Sequence, residues 1–167
     1  PGGQLTSEHR VPGDKSMSHR AVMLGSLAEG TTEVTGFLEG EDALRTIAAF
    51  RQMGVAIDGP EAGSLTITGV GLHGLAAPQQ ALDLGNAGTG MRLFAGILAG
   101  QTFDSELIGD ASLMQRPMGR VINPLSKMGA RIESLSEGRP PLVISGGQDL
   151  QGIHYDLPIA SAQVKSC

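Results

Sequence analysis

Cysteine, aromatic residues and surplus positive charge are all scarce in this chain. One cysteine, Cys167, stands among 167 residues, so no internal disulfide is possible and a reducing, cytoplasmic setting is expected. With so few cysteines and four scattered histidines, the pattern of a zinc site is missing, and neither a metal nor another cofactor is expected. Tryptophan is absent and aromatics make up 3% of the chain, so a core must rest on Leu, Ile, Val, Ala and Met. The net charge is −5, which argues against nucleic acid as a partner, because contact with a phosphate backbone needs a basic surface. No apolar run approaches the ~20 residues that cross a bilayer, so no membrane partner is expected.

What the chain has in quantity is glycine, 25 residues of it, and an internal repeat. Met53-Gly54-Val55-Ala56-Ile57 returns as Met128-Gly129-Ala130-Arg131-Ile132, 75 residues later, and Leu65-Thr66-Ile67-Thr68-Gly69 returns as Leu142-Val143-Ile144-Ser145-Gly146, 77 later. Ahead of each Met-Gly the apolar spacing predicts an amphipathic helix, with Leu44, Ile47, Ala48 and Phe50 inward in the first copy and Met118, Val121, Ile122 and Leu125 in the second. Further upstream, Ala21 to Ala28 and Met91 to Ala99 are apolar nearly all round, which predicts buried helices. Strands are predicted near Thr32–Thr35, Val55–Asp58 and Leu65–Thr68, then near Glu106–Ile108, Ala130–Ser134 and Leu142–Ser145. Interleaved helices and strands make the class α/β or α+β.

The chemistry gathers where polar, glycine-bearing turns open the inner helices. Pro12-Gly13-Asp14-Lys15-Ser16-Met17-Ser18-His19-Arg20 sets a lysine, hydroxyls and an arginine at such a start, and Gly85-Asn86-Ala87-Gly88-Thr89-Gly90-Met91-Arg92 does so again. A third start follows at Ser161-Ala162-Gln163-Val164-Lys165-Ser166, so Ser16, Thr89 and Ser161 are spaced 73 and 72 residues apart. Helix starts leave N–H groups without intrahelical partners and carry the positive end of the dipole, so they stabilise phosphates and carboxylates. Three in register favour one shared anion site over three ordinary capped helices, in which Ser16 or Ser18 is merely an N-cap. The spacing fits neither a Walker lysine nor a Rossmann glycine motif. His19 reads as a general base or as a surface or supporting histidine. Asp14 and Glu41-Asp42 read as helix caps, and Arg116-Pro117 as the opening of the second outer helix. Arg92 either pairs with a carboxylate or reaches the anion site.

The strings PGDKSMSHR, LGNAGTGMR, QRPMGR (Gln115 to Arg120) and SAQVKS, in that order, resemble the 5-enolpyruvylshikimate-3-phosphate synthases, from Val11 to Cys167. The resemblance implies an α+β fold of the inverse α/β type, with repeated βαβαββ units, buried inner helices and amphipathic outer ones. It implies transfer of an enolpyruvyl group from phosphoenolpyruvate to the 5-hydroxyl of shikimate 3-phosphate with release of phosphate, on the route to chorismate and aromatic amino acids. Lys15 would touch both substrates, and Ser16 and Arg20 would hold shikimate 3-phosphate. Gly88 and Arg116 would shape and charge the phosphoenolpyruvate pocket, which is also where glyphosate competes in this family. Ser161, Ala162 and Gln163 would complete the site, with Ala162 standing where many members have a second serine. Asn86, Thr89 and Arg92 would support it. No catalytic acid or base is expected within these residues.

The family's chain is more than twice as long, which predicts that this sequence is an N-terminal part. Residues 1–11 would cross from the other domain, 12–84 and 85–157 would form two repeats, and 158–167 would begin a third. The missing C-terminal domain would be a partner in its own chain, the whole enzyme would be a monomer, and the 167 residues alone would not turn over. A module that binds anionic metabolites without chemistry is the alternative that the absent acid and base groups leave open.

Overall fold

The computed structural model describes residues 8–167, so most of the expected crossover segment, residues 1–7, lies outside the described residues; residues 8–14 carry no helix or strand. Two successions of elements follow. The first is α1 (Lys15–Leu27), β1 (Glu29–Thr35), α2 (Glu41–Gln52), β2 (Ala56–Glu61) and β3 (Ser64–Val70). The second is β4 (Leu82–Asp83), α3 (Gly88–Ala99), β5 (Ser105–Ile108), a 3₁₀ turn at Leu113–Gln115, α4 (Gly119–Lys127), β6 (Arg131–Leu135) and β7 (Arg139–Ser145). A short α5 (Ala162–Lys165) closes the described chain.

Each succession builds one sheet. The first has the order β1-β3-β2 and the second β4-β5-β7-β6, so the arrangement of β1, β3 and β2 recurs in β5, β7 and β6. β3 runs antiparallel to β1, from Glu29 opposite Val70 to Thr35 opposite Ser64. β7 holds the matching place, with Ser105 opposite Ile144. Alternation makes these central strands work: Leu65 and Ile67 point into the core between Thr66 and Thr68, as Leu142 and Ile144 do around Val143. β4 joins the second sheet parallel to β5, beyond what the sequence signals predict. Two residues, Leu-Asp, are too short to show alternation.

Helix α3 is the buried inner helix that its composition predicts, with Met91, Leu93, Phe94, Ala95, Leu98 and Ala99 all inside. Helix α1 corrects the same expectation. It buries one face through His19, Val22 and Met23, while Met17 and Leu24 are 72% and 68% exposed. The outer helix α4 packs through Met118, Val121 and Leu125 as predicted. In α2 the inward face is Ala43, Thr46, Ile47, Ala49 and Phe50, whereas Leu44 and Ala48 turn outward. Small residues and a threonine fill the close contact there, and neither stands out on a hydropathy pattern. Phe50 of α2 and Phe94 of α3 meet at 5.0 Å between ring centroids, tilted by 36° and wholly buried, so the aromatic contact joins the two units.

Candidate anion site

The start of α1 is built by its neighbours. Asp14, not Ser16 or Ser18, is the N-cap, and its carboxylate accepts from Met17 N at 2.8 Å. Ser18 is buried and works as a strut: its Oγ donates to Asp14 O at 2.8 Å and accepts from Leu38 N at 3.0 Å. Gly13 lies flat against that same loop, where a Cβ would stand 2.1 Å from Gly36 O. Ser16 is left exposed at the first turn. Lys15 Nζ meets Asp42 at 2.9 Å, across the gap to the first turn of α2. Glu41 and Asp42 therefore do not cap α2, whose N-cap is Gly40; they sit in its first turn, and Asp42 serves Lys15. Arg20 extends its guanidinium to Ser166 Oγ at 2.7 Å, tying α1 to the end of α5.

His19 is not on the surface. It is fully buried, with Nδ1 2.7 Å from Thr46 Oγ1 and Nε2 without a hydrogen-bond partner among the described residues. Its Cε1 lies 3.7 Å from the position a Cβ would take on Gly90, so α1 backs directly onto the first turn of α3. Burial pushes the imidazole pKa down, with Asp42 opposing and Lys15 and Arg20 adding to the effect. A buried neutral ring is support for the two helix starts rather than a base in contact with ligand. The sign for stability follows. The unfolded chain takes up a proton at His19 below about 6.5 and the folded chain resists it, so stability falls as pH drops through that value. Denaturant unfolding at about pH 7.5 and about pH 5.5 should show this loss, and His19→Asn should flatten the slope.

The start of α3 differs from the other two. Its N-cap is Ala87, with no side-chain cap; Gly88 N donates to Asn86 O at 2.8 Å, and Gly88 and Gly90 are buried. Two guanidiniums stand over it. The Cβ position on Gly88 lies 3.0 Å from an Arg116 nitrogen and 3.2 Å from an Arg92 nitrogen, so any side chain there would intrude on both. Arg92 also donates to Gly88 O at 3.0 Å. Burial pushes its pKa down, and the nearby Arg116 and Arg120 add to the effect. Among the described residues, none of Arg92, Arg116 and Arg120 forms an ion pair. The first of the two readings for Arg92, a carboxylate partner, is thus set aside.

Arg116 is held from behind. Its guanidinium donates to Asn86 Oδ1, and Asn86 Nδ2 donates to Asp110 Oδ2 at 2.8 Å. Asp110 also accepts from Leu113 N at 2.7 Å. These two bonds, together with the nearby Arg116 charge, hold its carboxyl below the usual range. Arg116 does not open α4 as predicted: it closes the 3₁₀ turn, and α4 begins at Gly119 after Met118. Asp110 is a residue of this region that sequence reasoning does not pick out, and Asp42 and Arg120, though named in it, are given no part in the site.

Helix α5 completes the group. Ser161 is its N-cap, accepting from Val164 N, and Ala162 follows as an exposed first helical residue. Gln163 Nε2 donates to Thr89 Oγ1 at 2.9 Å, which brings the third helix start to the second. Arg92, Pro117, Arg120, Ser161, Gln163 and Val164 line a cavity of about 250 Å³ there. A larger hollow of about 430 Å³ along β1 to β3 is lined by Glu33, Asp58 and Glu61 and repels anions. Cys167, behind the site, donates its Sγ–H to Arg92 O at 2.9 Å, and burial pushes the thiol up to about 11, so it is no nucleophile at neutral pH. No group of three or more His, Cys, Asp and Glu with metal-site geometry occurs among the described residues, and none of their helices is long and apolar enough to cross a membrane.

Comparison with known proteins gives a consistent result. The sequence profile described as EPSP synthase (3-phosphoshikimate 1-carboxyvinyltransferase) matches residues 1–167. The 3-phosphoshikimate 1-carboxyvinyltransferase of Hydrogenovibrio crunogenus is 64% identical over 167 residues, which is 100% of this chain and 38% of that protein. The protein of the same name from Alkalilimnicola ehrlichii is 65% identical over 166 residues, 99% of this chain and 37% of its own. A crystal structure of EPSP synthase from Acinetobacter baumannii superimposes with a TM-score of 0.93 at 62% identity, covering 95% of this chain and 36% of that one. The chain thus spans a little over a third of the length of the relatives it matches.

Proposed function

The chain belongs to the EPSP synthase family, and from that membership we propose that it carries the shikimate 3-phosphate side, and part of the phosphoenolpyruvate side, of an enolpyruvyl transferase site. The observation that carries this reading is the uncapped start of α3 under Arg92 and Arg116, two guanidiniums without a carboxylate in a chain whose net charge is −5. Such a place favours a small anion, since the guanidinium fork matches the oxygens of phosphate and carboxylate. Gly88 leaves room for the two guanidiniums, whose nitrogens lie 3.0 and 3.2 Å from where a Cβ would stand. Ser161 and Gln163 supply neutral donors on the far wall, next to Arg120.

Lys15 and Arg20 extend the positive region along α1, with Ser16 exposed between them. Lys15 is the residue we assign to both ligands, because an ammonium is a compact charge able to sit between two anions. It is already oriented by Asp42. The contribution of these residues to the reaction is position and electrostatics: they fix two anions side by side and stabilise the charge that develops as phosphate leaves. The proton transfers need an acid and a base that touch the ligands, and His19, buried and neutral, is not placed to be either. Those groups we assign to the further length that the relatives possess. We also propose a cytoplasmic, monomeric whole enzyme.

The test is a calorimetric titration of the 167-residue chain with shikimate 3-phosphate, with ATP and UDP-N-acetylglucosamine as controls. Selective binding is expected, weakened about tenfold or more by Lys15→Ala, with no steady turnover when phosphoenolpyruvate is added. A folded chain that binds none of the three, or all three alike, would remove the claim that these residues hold a preformed acceptor site.

A further inference from the structure

We propose that Asp110 is a positioning residue for Arg116, acting through Asn86 by fixing which way the Asn86 amide faces. Asp110 does not line the cavity described above; its carboxylate accepts from Asn86 Nδ2 and from the backbone of its own turn at Leu113 and Ser112. An ionised carboxylate accepts hydrogen bonds and donates none. It therefore selects the amide orientation in which Asn86 turns its NH₂ group toward Asp110. The amide oxygen is then left to accept from Arg116, a donor with no acceptor capacity of its own. With the opposite orientation, two donors would face each other at Arg116 and two acceptors at Asp110.

Backbone contacts make the relay rigid. Asp110 N donates to Gly85 O at 2.8 Å and Leu84 N to Ile108 O at 3.0 Å, so the loop carrying Asn86 and the loop carrying Asp110 are zipped together. Asp83, just before, is anchored by Arg45 of α2 at 2.9 Å and caps Gly85 N, which fixes the other end of the Asn86 loop. Arg116 itself hangs from the 3₁₀ turn whose first N–H, at Leu113, Asp110 accepts. One carboxylate thus sets both the backbone from which Arg116 departs and the acceptor on which its guanidinium rests. It also places a negative charge one residue removed from the Arg116 guanidinium. It does so without entering the site, where a direct Asp–Arg pair would compete with an incoming anion.

The inference rests on the anion-site reading for its consequence, but not for its test. Asp110→Asn is the informative substitution, because Asn still accepts from Leu113 N with its oxygen and keeps the turn. Its NH₂ then points at Asn86, which must flip to accept and so offers its own NH₂ to Arg116. Adding Asn86→Asp repairs the polarity, since a carboxylate at 86 accepts from both neighbours. The readout is the Arg116 Nε–Hε signal in heteronuclear NMR, with backbone amide spectra showing that each variant is folded. Expected is an ordered Arg116 in the parent chain, an Arg116 as mobile as an exposed arginine in Asp110→Asn, and recovered order in the double variant. A mere loss of loop stability would not be recovered by a second change at 86. An Arg116 signal unaltered in Asp110→Asn, or a folded double variant without recovery, would overturn the proposal. Phosphoenolpyruvate titrated into the same samples reads the consequence separately: about tenfold weaker binding in Asp110→Asn is expected. Absence of binding by the parent chain, with the mobility pattern as expected, would fault the anion-site reading and leave the relay standing.

Discussion

Phe94→Ala should destabilise the chain by about 3–5 kcal/mol, the range for removing a buried aromatic ring, and leave little folded protein. The chain has four phenylalanines, one tyrosine and no tryptophan, and the Phe50–Phe94 pair is wholly buried where α2 of the first succession meets α3 of the second. Leu, Ala and Met make up most of the buried core it belongs to, and none of these has the volume of a phenyl ring. Phe94→Leu keeps most of the apolar volume and should cost less than half as much. Chemical denaturation of the two variants side by side measures both. A loss in Phe94→Ala no larger than that of a surface substitution would mean that the two sheets do not depend on this contact.

Gly13→Ala should be nearly as damaging, and it would strike the candidate site as well as the fold. A Cβ there would lie 2.1 Å from Gly36 O and 2.9 Å from Leu38 N, both backbone atoms that cannot swing aside as a side chain can. The loop at 36–38 would have to retreat, and with it the Leu38 N to Ser18 Oγ bond that seats the first turn of α1. Overpacking of this sort costs about 1–3 kcal/mol, and unyielding neighbours on two sides put this case at the top of that range. Lys15 would move with the turn and lose its reach to Asp42. Thermal unfolding and the shikimate 3-phosphate titration should both register the change. Retained affinity with lowered stability would show that the loop, not the site, absorbs the strain.

The repeat was legible because it is written in whole elements. Two Met-Gly turns and two strand strings at nearly constant offset suffice to place both sheets, and composition alone marks α3 as an inner helix. What escapes the sequence is pairwise. Thr46 and Ala43 turn α2 by a fraction of a turn from the face its large residues suggest, because close helix packing rewards small size. Asp42 lies 27 residues from Lys15, and Asp110 lies 24 from Asn86, so each reads locally as one more acid near a helix or in a loop. Asp14 was the exception, since a cap is a short-range feature and its partner is three residues on. The helix starts could be counted from spacing, but the convergence of Arg92, Arg116 and Arg120 beside the second of them required the fold.

That inequality among the three starts has a meaning for how a duplicated fold acquires function. Asp14 and Ser161 seal the first and third helices with their own oxygens, while Ala87 leaves the second unsealed. A missing cap is a standing debit of about 1 kcal/mol in an ordinary helix. Under the proposed function, an anion bound at that terminus would supply the charge that no cap side chain supplies. On the proposed reading all three starts serve the ligands, but the first and third also carry a side-chain cap of their own and the second does not. If an anion binds there as proposed, occupancy and folding are thermodynamically linked, and the ligand would act as a last structural element of the unit it visits.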